Sequence, residues 1–369
     1  MKIAIAHGDG VGPETMEVVL DVFRTAGVPL TFEEVRLGQE AVLAGEPGGI
    51  GADAREAVER AGVLLKGPTE VTLGAGRADA SIRRAWGAFA QKRVYRMLPG
   101  VPAPLGLRSL DLTLIGELCD SAFGPGERLV SEGVAQHSRF ATRANALRVH
   151  RYAFEVASRK GAHRVTCAHQ ADVMRLVDGM FLDAFYEVAR DYPDLRADDL
   201  PVDQMAMHLV SSPESFDVIV QPDMPGQILA DLAAGLVGGL AYAPSASVGE
   251  QVSVFEPMHG PERGLAGRDV ANPTALLLAG TMMLRHVGLG AHAFTIERAL
   301  ARSLYQIHRR PDLRAHAPGF RTSIFRYRMI EELLSERSSA GATSNARRDG
   351  AGRSAATERT FAEQLEGLA

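Results

Sequence analysis

The chain has 369 residues, enough for two domains of ordinary size or for one large α/β unit with a second lobe. Its 40 Lys and Arg against 45 Asp and Glu leave a net charge of -5, so no global basic field draws it to nucleic acid or a membrane surface, and a small molecule or another protein is the expected partner. Cys119 and Cys167 are its only cysteines and lie in no metal-ligand spacing, no window approaches the roughly 20 apolar residues of a membrane span, and the first residues lack a signal peptide's long apolar segment, so a cytoplasmic protein is expected.

Lys2 to His7 reads as a strand, Gly8-Asp-Gly-Val-Gly-Pro-Glu14 as a glycine loop, and Thr15 to Thr25 as a helix with Met16, Val19, Leu20, Val22 and Phe23 at helical spacing. Leu30 to Val35 is a second strand, ending in Glu33-Glu34. This order invites a dinucleotide-fold reading, but the loop lacks the third glycine in its required place and Pro13 stands where a phosphate would approach. A tight turn between strand and helix is the simpler expectation. Alternation continues with a helix at Asp53 to Ala61, a buried strand at Val63 to Leu65 leading into Lys66-Gly-Pro68, and a helix at Ala80 to Phe89. Leu110 to Ile115 reads as a strand, Phe123 to Arg139 as a two-stranded excursion, Thr142 to Lys160 as a long helix and Arg164 to Ala168 as a strand. Asp172 to Tyr192 is helical, Val202 to Leu209 strand or helix, and Asp217 to Val220 a strand. Pro225-Gly226 is read as a turn feeding a helix whose Ile228, Leu229, Leu232 and Leu236 form an apolar stripe, with Gln227 and Asp231 sharing another face. From 335 to 369 the chain is small, polar and nearly free of core formers, which predicts a disordered tail with a short helix at Thr360 to Leu368.

Five blocks in order carry a resemblance: Gly8-Asp-Gly-Val-Gly-Pro-Glu14, Lys66-Gly-Pro68, Arg151-Tyr-Ala-Phe-Glu155, Val202-Asp-Gln-Met-Ala-Met-His-Leu209, and Phe255-Glu-Pro-Met-His-Gly260 running on through Ala271-Asn-Pro-Thr-Ala275. They resemble the isopropylmalate/isocitrate dehydrogenases, a family of β-decarboxylating oxidoreductases, over about residues 1–334. The resemblance implies an α/β, two-domain fold with a central cleft, not a G-x-G-x-x-G dinucleotide fold. A large cofactor-side domain would combine 1–97 with 240–334, and a smaller dimerisation and substrate domain would span 98–239 with an arm at 123–139. It also implies a homodimer sharing its active sites, NAD or NADP, and Mg²⁺ or Mn²⁺ chelated by substrate and aspartates. The family oxidises a 2-hydroxy acid at C2 and decarboxylates the keto acid.

Position by position, Arg83 and Arg93 match two substrate-clamping arginines, whose guanidinium forks suit carboxylates; the alternative is a solvated basic stretch with Arg84, Lys92 and Arg96. A third family arginine falls on Gly116. The proton-donating tyrosine falls on Phe123, which has no transferable proton, and the general-base lysine on Gln170, whose amide accepts none near neutral pH. His169 is adjacent, but neighbours in an extended segment point to opposite faces, which favours a structural role. Asp203 and Asp231 match metal-binding aspartates, while the position between them is Gln227, an amide that weakens a site for a hard cation. Asp172 and Asp223 replace family asparagines and could restore charge. His259, Gly260 and Asn272 match the nucleotide loop; the ribose-binding acid falls on Gly264, and the neighbouring Arg263 would favour NADP or bind nothing. These substitutions lead to the expectation of a member without the usual reaction, acting as a regulatory or structural partner. The alternative is an NAD(P)-dependent oxidoreductase with altered chemistry on a small carboxylic acid. A homodimer, or a heteromer with an active homologue, would be its assembly.

Overall fold

The computed structural model describes residues 1–46, 48–72, 76–118, 127–309 and 321–347. The N-terminal part runs β1 (Lys2–Ala6), α1 (Gly12–Thr25), β2 (Thr31–Glu34), α2 (Gln39–Leu43), α3 (Ala52–Ala61), β3 (Val63–Lys66), β4 (Val71–Thr72), β5 (Gly76–Arg77), α4 (Ala78–Ala85), β6 (Ala90–Arg96) and β7 (Asp111–Glu117). The middle contains β8 (Glu127–Ser131), β9 (Val134–His137), α5 (Arg143–Lys160), β10 (Arg164–His169), α6 (Val177–Ala189), β11 (Arg196–Pro201), α7 (Val202–Ser211), β12 (Val218–Gln221) and α8 (Asp223–Leu236). The rest is β13 (Pro244–Val248), β14 (Ser253–Pro257), α9 (Thr274–His286), α10 (Gly290–Arg309) and α11 (Thr322–Arg347).

A ten-stranded sheet in the order β11-β10-β12-β7-β6-β13-β14-β3-β1-β2 spans the molecule. Its two flanks are parallel within themselves, and β6 and β13 join them through three antiparallel ladders. Helices cover both faces of each flank. This is why β3 and β12 are apolar runs buried along their whole length, without the alternation of a half-exposed strand. Ile3, Met16, Phe23, Leu65, Met283 and Phe325 belong to the core under α1, α9, α10 and α11, while Phe154, Val165, Phe181 and Val218 belong to that under α5 and α6.

Local chemistry sets several boundaries. Thr142 caps α5 by accepting the Asn145 amide at 3.3 Å, and Gly161 ends it in the left-handed region with φ 70°. The glycine loop is a tight turn: Gly10 has φ 60°, and a Cβ there would stand 1.8 Å from the Pro261 carbonyl oxygen. Pro13 lies in the first turn of α1, where a missing N–H costs nothing. The 123–139 excursion is the β8–β9 ribbon over its described residues.

Several expectations are corrected. The segment 202–209, left open between strand and helix by its sequence, is helix α7, while the helix expected from Asp172 starts only at Val177 because residues 170–176 form turns. The helix expected at 80–89 ends at Ala85, and the polar stretch beyond it is the central strand β6. On α8 the helix already begins at Asp223, with Pro225 in its first turn, and Ile228 is 67 % exposed and outside the buried stripe. Gly226, Leu229, Ala230, Ala233 and Ala234 form the buried face instead, small residues that let the helix approach the sheet. The tail expected to be disordered from 335 starts as helix, since α11 continues to Arg347; Thr360 to Leu368 lies outside the described residues. Among the described residues, no helix is long and apolar enough to cross a membrane.

His150 gives the fold a pH dependence. Fully buried against Phe181 and Phe185, it donates Nε2–H to the Phe181 carbonyl at 2.8 Å, and desolvation pushes its pKa down to about 3 from 6.5. The unfolded chain therefore takes up a proton that the fold refuses, so stability falls as pH drops from 6.5 towards 3, by up to roughly 4 kcal/mol. Urea denaturation at pH 7.5 and 4.5 should show this loss, and His150→Gln should flatten it. An unchanged slope in that variant would assign the acid sensitivity to other groups.

Candidate functional site

The ladders bring one row of polar side chains across the centre of the sheet. Arg93 on β6 is the register partner of Ser245 on β13, and Ser245 is the partner of Glu256 on β14, so all three stand on one face of the pleat. Lys66, at the end of β3, completes the row: its Nζ lies 2.6 Å from Glu256 Oε2 and donates to the Gly67 carbonyl at 3.1 Å and the Thr69 hydroxyl at 3.2 Å. Both partners are buried, Lys66 to 1 % exposure. Arg83, from α4, approaches the other Glu256 oxygen at 3.8 Å. Gln91, two residues before Arg93 on the same face, donates to Ser245 Oγ at 3.0 Å.

Helix α8 closes the row from above. Gln227 accepts from Arg93 Nη2 at 2.6 Å, and its own amide group donates towards Asp223 Oδ1 at 3.4 Å and Gln91 Oε1 at 3.5 Å. Arg93 Nη2 also reaches Gln91 Oε1 at 2.6 Å. Burial lowers the Arg93 pKa from its usual value, countered by Tyr95, Asp231 and Glu256, while the Arg83 charge adds to the lowering. Arg83, Asp231 and Glu256 thus each act on Arg93 electrostatically, although Asp231 itself is exposed. Asp223 is 3 % exposed and its Oδ2 has no hydrogen-bond partner. Gly116 sits in β7 across from Gln91 and contributes no side chain to the row.

Gln170 follows β10. Its backbone N–H donates to buried Asp178 at 2.8 Å, and Asp178 also pairs with Arg139 at 2.8 Å, so the backbone at this position is held rigidly. The Gln170 amide reaches Asp172 Oδ1 at 3.4 Å. His169 is buried on the opposite side, its Nε2 2.8 Å from Asp199 and its Nδ1 accepting the Ala171 amide, a structural arrangement as expected from the alternation. Phe123 lies outside the described residues.

The residues matched to the family's nucleotide loop follow β14, and Lys66 of the row acts on His259 electrostatically. His259 turns Nδ1 to the Gly260 carbonyl at 2.9 Å, while its Nε2 is buried without a hydrogen-bond partner. Desolvation lowers its pKa, so the ring is neutral at pH 7. Asn272 uses Oδ1 to accept from the Thr274 amide at 3.1 Å and hydroxyl at 2.6 Å, which orders the start of α9. Gly264 leaves open space where a Cβ would stand. Arg263 is held by Glu70 and Gln39.

The isocitrate/isopropylmalate dehydrogenase family model matches residues 2–332. The chain belongs to this family. It is similar to 3-isopropylmalate dehydrogenase of Methanothermobacter thermautotrophicus, with 38 % identity over 315 residues covering 85 % of this chain and 93 % of that one. It is similar too to isocitrate dehydrogenase [NADP] of Thermus thermophilus, with 38 % identity over 304 residues, 82 % of this chain but 61 % of that longer relative. Among solved structures, isocitrate dehydrogenase from Methylococcus capsulatus superposes with a TM-score of 0.84 at 30 % identity, over 90 % of this chain and 99 % of that one.

Within this family framework, the orphaned His259 Nε2 fits a nucleotide, whose polar edge it can meet. The metal positions do not fit a hard cation within one chain. Gln227 gives its carbonyl oxygen to Arg93, Asp203 takes the Gln204 amide at 2.9 Å on exposed α7, and among the described residues no three His, Cys, Asp or Glu side chains converge to hold a metal ion. Sequence reasoning missed the Lys66–Glu256 pair. The signal was present in the Lys66-Gly-Pro68 and Phe255-Glu-Pro257 blocks, but only the β3–β14 pairing brings them together.

Proposed function

We propose that this member keeps the family's carboxylate-binding cleft without its metal-assisted oxidative decarboxylation, and acts in the cytoplasm as a regulatory or structural partner. The Arg93–Gln227 contact at 2.6 Å carries the reading. An amide carbonyl fills the position from which a carboxylate would reach a metal, and it neutralises nothing, so the guanidinium stays available to an anionic ligand. Gln170 adds to it, because an amide cannot take up the proton of a 2-hydroxy acid. Exposed Met207 and Val210 on α7 and Met224 and Ile228 on α8 supply an apolar face for a second subunit, either a copy of this chain or an active homologue.

His259 favours a second reading, in which NAD or NADP still binds and the cleft performs altered redox chemistry on another small acid. His259, Gly260 and Asn272 would hold the nucleotide. Arg263, engaged by Glu70 and Gln39, would have to leave them to meet a 2′-phosphate.

Thermal shift with NAD⁺ and NADP⁺, with and without Mn²⁺, tests both readings beside turnover assays on isocitrate, 3-isopropylmalate and related malates, the substrates named for the relatives. The expected result is no turnover and no stabilisation by Mn²⁺. Steady turnover of any of these acids sinks the first reading; absence of stabilisation by either nucleotide sinks the second.

A further inference from the structure

Strand β6 presents its other face to a separate cavity. Lys92, Val94 and Arg96 alternate with the cleft-facing Gln91, Arg93 and Tyr95, and they line a cavity of about 100 Å³ closed by Tyr242, Pro244, α9 and α10. That volume holds several water molecules, hence one tetrahedral oxyanion. Its charged lining is Lys92, Arg96, Arg285 and Glu297.

Two of the three cations are matched by acids. Arg285 makes a two-pronged pair with Glu297, which also accepts from Thr281 at 2.8 Å. Arg96 lies 3.2 Å from Asp111, which it shares with Lys160 of α5 at 2.8 Å. Lys92, partly buried in mid-sheet between Ile115 and Ala246, has no hydrogen-bond acceptor or carboxylate against its Nζ among the described residues. Desolvation first, and then the positive charges of Arg96, Arg159, Lys160 and Arg285, lower its pKa to about 8. His286 on α9 is also held below its usual value, first by desolvation and then by Lys92 and Arg159. A half-buried ammonium among like charges is costly unless an anion joins it.

We propose that this cavity is a second anion site, separate from the cleft, which takes one small doubly charged oxyanion between Lys92, Arg96 and Arg285.

Isothermal titration of the full chain with inorganic phosphate and, separately, malonate at constant ionic strength tests it and distinguishes a phosphate from a carboxylate occupant. Saturable binding of one of them is expected. Lys92→Met should weaken it about 10-fold or more, the loss typical of a hydrogen bond to a charged group, while Arg83→Gln in the cleft leaves it intact. Between pH 7.5 and 9, affinity should fall as Lys92 loses its proton near 8; the other charged groups facing it are Arg96, Arg159, Lys160, Arg285, Asp111 and Glu297, and His286, held below its usual value, is neutral throughout. Lys92→Gln serves if the methionine variant folds poorly. No saturable binding, or binding that Arg83→Gln abolishes and both Lys92 variants retain, overturns the proposal.

Discussion

Glu256→Ala should cost this protein about 3–5 kcal/mol of stability, the loss typical of breaking a buried ion pair. The carboxylate is 7 % exposed and holds the ammonium of Lys66, itself 1 % exposed, at 2.6 Å. Removing it leaves a positive charge in the centre of the sheet with, among the described residues, the Gly67 carbonyl and the Thr69 hydroxyl to solvate it, and it also takes away the 3.8 Å partner of Arg83. Replacing both members, Lys66→Met with Glu256→Met, should recover most of the loss, because no charge is then left buried. Urea denaturation of the three proteins checks this. A single variant within about 1 kcal/mol of the parent would mean that water reaches Lys66, as expected of a surface pair.

Restoring Gln170→Lys, Phe123→Tyr and Gln227→Asp together should raise kcat/KM for oxidative decarboxylation of isocitrate or 3-isopropylmalate by at least about 10²-fold over the parent, with Mn²⁺ present. Removing one catalytic acid or base typically costs about 10²- to 10⁴-fold, and restoring them should return at least one such factor. Gln227→Asp alone should make Mn²⁺ stabilising in a thermal shift assay, since an aspartate four residues before Asp231 puts two carboxylates on one helix face. A triple variant that folds and binds nucleotide yet shows no gain would mean that the cleft has been reshaped beyond these three side chains. That outcome would move the balance towards altered chemistry in the same cleft.

The parts of the fold legible in the sequence are those whose burial is local. β3 and β12 read as strands because both of their faces are covered by helices, and the ends of α5 read correctly because Thr142 and Gly161 satisfy the first and last backbone groups by themselves. The central strands were illegible. β6, Ala-Gln-Lys-Arg-Val-Tyr-Arg, falls in the stretch whose alternative reading is a solvated basic segment, and β13, Pro-Ser-Ala-Ser-Val, carries no pattern that assigns it an element. Both are strands because their polar side chains find partners in the fold: Gln91 with Ser245 across the ladder, and Arg93 with Gln91 along β6 and with Gln227 on α8. On α8, periodicity alone placed Ile228 with the apolar stripe, whereas close approach to the sheet selected the smaller residues Gly226, Ala230, Ala233 and Ala234.

By itself the sequence determined the family, through five ordered blocks, and the chemical identity of each side chain at the matched positions: two arginines retained, a glutamine at each of two ionisable positions, a phenylalanine for a tyrosine. Only the tertiary structure decided what those side chains do. Lys66, Arg93, Gln227, Ser245 and Glu256 come from five segments, and they meet because strand register and the seating of α8 are long-range properties set by packing across the whole sheet. The same register put Lys92 on the opposite face from Arg93, and so divided one basic stretch of sequence between a cleft and a separate cavity.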